Sequence, residues 1–231
     1  MKHIAWTADS DIPESIKGRS FHLKLTSRSE LPFQLDVNPN EITYVFVTSK
    51  YAAHVFKSWL AKNGSNDINI ITFSSTVQKI LKGYSVHFYS VQTASDLMRV
   101  FMEDVRSVSK SKFVFLGAEK PAFDFKSAFA RRRLSLDHVI CYRTEALTGL
   151  SSPLREKLQV PTHVSFAAPS AVRVWAALLE DERLLGPFSY SAIGPTTATA
   201  CREVLKAEPI IAKVASFEGL AEVALCQINI E

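Results

Sequence analysis

Short runs of consecutive apolar residues alternate along this chain with longer stretches in which apolar positions recur every three to four residues. HIAWT (3–7) and FHLKL (21–25) read as two strands with a very short connection. ITYVFVT (42–48) leads into the helical pattern YAAHVFKSWLAKN, and INIITF (68–73) into STVQKILKG. SVHFYSV (85–91) precedes ASDLMRVFMEDVRS, and KFVFLG (112–117) precedes PAFDFKSAFARRR. After the extended HVICYRTEAL (138–147), HVSFAA runs into PSAVRVWAALLE, SYSAI into PTTATACREVL, and FEGLAEVALCQI closes the chain as a helix. Strands that are apolar on both faces, separated by amphipathic helices, belong to parallel sheets covered on both sides. The pattern therefore predicts an α/β protein of the doubly wound kind.

Part of the pattern occurs twice. TYVFVTSKYAAHVFKSWL is matched by THVSFAAPSAVRVWAALL, pairing Ser49 with Ala168. INIITFSSTVQKIL is matched by FSYSAIGPTTATACREVL, pairing Thr76 with Thr197, and SVQTASDLMRVFM by KVASFEGLAEVAL, pairing Leu97 with Leu220. Three consecutive units at a nearly constant offset of about 120 residues predict two related α/β domains. Two extended, partly polar segments are left over, one running from the N-terminal strands to about residue 40, the other HVICYRTEALTGLSS. They suggest a two-stranded ladder through which the chain leaves one domain, builds the second whole, and returns. The expected division is 1–27 with 147–231 as one domain, 36–139 as the other, and 28–35 and 140–146 as linker strands.

Composition narrows the chemistry. The chain has 231 residues, 47% of them apolar, and a formal charge of +4. No apolar run approaches the ~20 residues of a membrane span, and the N-terminus lacks the apolar stretch of a signal peptide. A soluble, cytoplasmic protein follows, a monomer with no membrane partner. Cys141, Cys201 and Cys226 are odd in number and show no CxxC spacing, which fits buried thiols in a reducing compartment. The mild positive charge suits an acidic ligand but falls short of a nucleic-acid footprint. The one dense basic cluster, Arg131-Arg132-Arg133, ends a helix, where cations complement the dipole. Nucleotide-binding and nucleophile-elbow motifs are missing, and the six histidines show no HxH or HxxxH pairing, so no cofactor and no metal are expected.

What remains are hydroxyls at strand-to-helix turns: Thr48 and Ser49, Ser74 with Ser75 and Thr76, Ser170 after Pro169, and Thr196 with Thr197. Each alone reads as a helix cap. In AIGPTTA (192–198) the glycine permits a tight turn, proline suits the first helical position, and threonine is a good N-cap. Together these turns would line the carboxyl ends of two parallel sheets, where open α/β sheets bind ligands and helix N-termini attract anions. Many neutral donors with few charges suit a small molecule bearing several carboxylates.

AIGPTTA (192–198), HVICYRTEAL (138–147), SFEGLAEVAL (216–225) and the small-polar turn in each half together resemble the uroporphyrinogen-III synthase family, in order over most of the chain. The resemblance implies two α/β domains joined by a two-stranded ladder. It implies cyclisation of hydroxymethylbilane, a linear tetrapyrrole with eight carboxylates, to uroporphyrinogen III with ring D inverted, without cofactor or metal. It puts Tyr142 where the family has the tyrosine proposed to assist loss of the substrate hydroxyl. Thr48, Ser49, Ser75, Thr76, Ser170, Thr196 and Thr197 become substrate-binding candidates. Four positions depart from the family pattern: Ala168 for serine, Lys50 for proline, Phe73 for glycine and Ala8 for arginine. A non-catalytic two-domain binder of an anionic small molecule is the alternative. A doubly wound regulatory module would want a clustered acidic pocket, which the strand ends lack.

Overall fold

The structure is a computed structural model, and it describes residues 3–8, 10–32, 35, 38–64, 67–104, 111–149, 151–181, 184 and 186–229. The chain divides into two compact units, residues 1–27 with 145–231, and residues 28–144.

In the first unit, strands β1 (His3–Trp6) and β2 (Ser20–His22) come from the N-terminal segment. Strand β3 (Thr26–Glu30) then carries the chain across into the second unit. There, β4 (Tyr44–Val47), α1 (Lys50–Asn63), β5 (Asn69–Thr72), α2 (Ser75–Ile80), β6 (Val86–Phe88), α3 (Ala94–Asp104), β7 (Phe113–Ala118) and α4 (Phe125–Ala130) follow in strict alternation. Strand β8 (Leu136–Ala146) carries the chain back. The first unit is completed by α5 (Ser152–Lys157), β9 (Thr162–Phe166), α6 (Pro169–Asp181), β10 (Phe188–Ala192), α7 (Pro195–Ala200), β11 (Ile210–Ile211) and α8 (Phe217–Ile228).

Each unit holds its own sheet. The first has the order β11-β10-β9-β1-β2, every neighbouring pair parallel. The second has the order β3-β8-β7-β4-β5-β6, parallel from β8 to β6. Along β3 and β8, Leu147 N donates to Leu25 O (2.9 Å) and Leu31 N to Cys141 O (3.3 Å), the pattern of strands running in opposite directions. If β9–β10–β11 are matched to β4–β5–β6, and β1–β2 to β7–β8, the two sheets have one strand order. The repeat read from the sequence makes the same match for β4 with β9 and β5 with β10, and pairs α3 with α8.

Period-2 alternation explains why both faces of these strands are covered. In β4, Val45 and Val47 join Ala52, Phe56, Leu60, Ile70, Val114 and Leu116 on one side. Phe46 points the other way, into Ile71, Phe101, Phe113, Phe115, Phe125 and Phe129. Burying each such side chain contributes roughly 1.5–3 kcal/mol. In the first unit Trp175 and Phe166 fill one face, while Trp6, Ile16, Leu220 and Ala224 fill the other. Helix α1 stops at Gly64, whose φ of 66° places it in the left-handed region, where its N–H reaches Leu60 O (3.0 Å). Among the described residues, no helix is long and apolar enough to cross a membrane.

Several local expectations differ from what forms. Of FHLKL only Phe21 and His22 pair in a strand; Leu23 and Leu25 are buried in the core beyond it. The expected linker piece 140–146 is not a separate strand. It is the end of β8, which pairs with β7 from Leu136 to Tyr142 as a full member of the parallel sheet. The helix expected at 121–133 forms only over Phe125–Ala130, because Asp124 caps it by accepting from Ser127 N at 2.9 Å. Arg133 turns the chain out of it at φ 57°. Residues 105–107, expected to end α3, lie outside the described residues. Cys141 and Cys201 are buried thiols, but Cys226 is exposed, because it falls on the outer side of α8 while Ala221, Ala224 and Ile228 face the core.

Candidate functional site

In both units the strands stop where hydroxyl-bearing turns begin. In the second unit β4 runs into Thr48, which is half-buried, and Ser49 caps α1, its Oγ accepting from Ala52 N at 3.1 Å. After β5, the buried Thr72 accepts from Ser74 N (3.1 Å), and Ser74 in turn caps α2 by accepting from Val77 N (3.4 Å). With Ser74 as the cap, Ser75 and Thr76 stand exposed in the first turn.

Tyr142 reaches this region from β8. A bulge at Gly117/Ala118 shifts the register, so that Ala118 lies opposite Tyr142 rather than Cys141. Such a bulge bends a strand and re-aims its side chains. Glu119 N fixes the new register by donating to Tyr142 O at 2.9 Å. The half-buried Tyr142 ring lies edge to face with Tyr51, in the first turn of α1, at a centroid distance of 5.0 Å and 64°. The structure thus brings Tyr142 beside the start of the helix that Ser49 caps. The neighbouring Arg143 forms a two-pronged pair with Glu119 (3.0 and 2.7 Å), which holds that carboxyl below its usual range.

In the first unit the corresponding turns follow β9, β10 and β1. Pro169 opens α6, and Ser170 behind it is half-buried. After β10 the threonines of GPTT do not cap. Gly194 occupies the N-cap position in an extended conformation (φ −173°, ψ 178°), Pro195 opens α7, and no side chain caps the helix. The reason is the register of the turn: proline at the first helical position places both threonines inside the helix. Thr196 is exposed and Thr197 is 3% exposed. After β1, Thr7 binds Ser165 O with both its N–H (3.2 Å) and its hydroxyl (2.7 Å), tying β1 to β9 where the strand order reverses. Ala8, where the family has arginine, is buried, and its carbonyl contacts His22 Nε2 at 2.7 Å. Ser216 caps α8 by accepting from Gly219 N at 3.0 Å. A Cβ on Gly219 would press into the carbonyl oxygen of Val214, which explains the glycine of SFEGLAEVAL.

A cavity of about 250 Å³ lies elsewhere in the first unit, against residues 146–149 and the Arg173–Asp181 side of α6, and none of the strand-to-helix turns described above lines it. Sequence reading missed Tyr51, the Glu119–Arg143 pair and the capping role of Ser216, while Ser74 was one of three successive hydroxyls read as caps. The signal for Ser216 was present, since serine three residues before Gly219 N is N-cap spacing.

These features define a protein of two doubly wound α/β units whose carboxyl strand ends are lined with neutral hydroxyl donors. Similar folds have been solved. The uroporphyrinogen-III synthetase of Helicobacter pylori 26695 superimposes with a TM-score of 0.68 at 19% identity, over 98% of this chain and 100% of that one. A mutant uroporphyrinogen III synthase of the extremely thermophilic bacterium Thermus thermophilus gives 0.65 at 12% identity, over 100% of both chains. Among proteins with curated descriptions, none matches the chain in sequence. The family model for uroporphyrinogen-III synthase HemD matches residues 22–222. The chain belongs to the uroporphyrinogen-III synthase family, and it is an enzyme of that kind, a cyclising lyase of porphyrin biosynthesis. The family acts on a tetrapyrrole.

Proposed function

We propose that this chain converts hydroxymethylbilane to uroporphyrinogen III with Tyr142 as its proton donor. Thr48, Ser49, Ser75, Thr76, Ser170, Thr196 and Thr197 are then its substrate-binding groups. The observation that carries this reading is the family match over residues 22–222, which spans Tyr142 and every one of these turns. The enzyme works as a cytoplasmic monomer, without cofactor, metal or nucleic acid, and β3 with β8 serves as the ladder joining its domains.

The chemistry asks little of acid and base groups. The carbon–oxygen bond of the hydroxymethyl group breaks, Tyr142 gives its phenolic proton to the departing oxygen, and water leaves. The resulting electron-poor carbon is attacked by the substituted carbon of ring D, and rearrangement through a spiro intermediate inverts that ring. The proton the pyrrole releases on closure restores the phenol. Because the bilane closes unaided to the symmetrical isomer I, the enzyme's main task is to hold one conformation. Hydroxyls and helix N–H groups fixed on rigid strand ends do this by positioning and preorganised hydrogen bonding. Lys50, Phe73, Ala8 and Ala168 supply no such hydroxyl, so the hydroxyl-bearing positions around them carry the binding.

The test is incubation of the purified chain with hydroxymethylbilane, followed by oxidation and chromatographic separation of the isomers. Isomer III in excess of a protein-free control is expected. Isomer I alone, at the control rate, would overturn the proposal.

A further inference from the structure

Two phenols touch in the second unit, and the reaction as proposed uses only one. Tyr51 lies in the first turn of α1, edge to face with Tyr142 at 5.0 Å and 64°. Its hydroxyl is closed off from water and faces the Glu30 carboxylate on β3. Burial first, and then the hydrogen bond and charge of that Glu30 carboxylate, push the phenol up to about 12. The hydroxyl is turned to Glu30, whereas the ring is what meets Tyr142, and an edge-to-face contact fixes the orientation of the ring it meets. The Tyr142 backbone is held separately, by the Gly117/Ala118 bulge and the Glu119 N–H, and its side chain packs on the core under α1 with the Tyr51 ring at its edge.

We propose that Tyr51 is a positioning residue whose ring holds the phenol of Tyr142 in its proton-donating orientation. The inference rests on the reading of Tyr142 as proton donor. It predicts a division between ring and hydroxyl. Tyr51→Phe keeps the ring and should retain kcat for isomer III within about 2-fold, whatever the loss of the Glu30 contact does to the melting temperature. Tyr51→Leu removes the edge contact and should lower kcat about 10-fold at nearly constant KM, since small misplacements of a reacting group are costly. In a Tyr142→Phe background, Tyr51→Leu should lower kcat no further, because residues acting through one group are not additive.

These variants are assayed as the full chain on hydroxymethylbilane, with isomer III counted separately and folding checked by circular dichroism. Tyr51→Met, whose flexible chain fills the space without a ring edge, takes the place of Tyr51→Leu if the latter does not fold. Wild-type kcat in a folded ringless variant, with Tyr142→Phe slow, overturns the positioning role and leaves Tyr142 as donor. Ringless and Tyr142→Phe losses that multiply would also overturn it. A Tyr142→Phe enzyme as fast as wild type overturns both readings.

Discussion

The start of α7 allows the anion-binding reading to be tested against simple helix capping. Thr197→Val exchanges a hydroxyl for a methyl group of nearly the same size, at a position 3% exposed on the third residue of α7. The helix is capped by no side chain, Gly194 holding the N-cap position, so the Thr197 hydroxyl has no capping duty to lose. A neutral hydroxyl donating to a substrate carboxylate contributes about 1.5–3 kcal/mol, and its removal should raise KM for hydroxymethylbilane roughly 10- to 150-fold. Thr199→Val is the control, two residues further into the helix on its exposed side, where KM should change less than about 2-fold. Both proteins should melt within a few degrees of wild type, because valine and threonine have similar helix propensity. The assay is the initial rate of isomer III formation against substrate concentration, with melting followed by circular dichroism. If both variants fold and their KM values are equal, Thr197 binds no carboxylate, and the argument from the uncapped helix end fails.

Two further outcomes follow from the interior. Gly219→Ala should destabilise by on the order of 1–3 kcal/mol, because the new methyl group meets the rigid Val214 carbonyl rather than a side chain that can yield; a wild-type melting temperature would show that no such approach exists. Of the three thiols only the exposed Cys226 should react with a disulfide reagent at pH 8, since burial pushes Cys141 up to about 12 and Cys201 up to about 11, and three fast thiols in the folded protein would contradict this. The same two thiols set the alkaline limit: their stabilisation is fully present below an ordinary thiol value of 9 and is lost as pH rises through 11 to 12, so the melting temperature should start to fall above about pH 9.

Long elements buried on both faces were legible from residue order alone. Strand β7 is buried at every position and could be read as nothing but a central strand. The repeat carried more than periodicity could, since it paired β4 and β5 with β9 and β10, and α3 with α8. What escaped was decided by a few atoms. Ser74, Ser75 and Thr76 are three hydroxyls in succession, and only the backbone, extended at Ser74, selects the one that caps. At GPTT the competing preferences of proline and threonine for adjacent helix-start positions were settled by proline's fixed φ. Helix α5 is six residues with no buried position, so it left no apolar period to detect. Tyr51 was hidden because its partner, Tyr142, lies far along the chain and is brought to it by a bulge.

The two copies of the repeat differ most where the chemistry is proposed. Helix α2 and helix α7 occupy the same place in their units, each following the strand next to the central one of the repeat, and Thr76 is the counterpart of Thr197. In α2 the chain satisfies its own helix end, Ser74 accepting from Val77 N, and Thr76 is left exposed on the surface. In α7 Pro195 stands where α2 has Ser74, the N-cap position falls to Gly194, no side chain caps the first turn, and the counterpart threonine is buried within it. A self-capped end has spent its best donor on an internal hydroxyl, whereas an uncapped end keeps its N–H groups and its dipole for an external anion. On the role proposed for Thr197, the exchange of a capping serine for a proline is the physical difference between the two turns, one end closed by its own side chain and the other with its N–H groups left open.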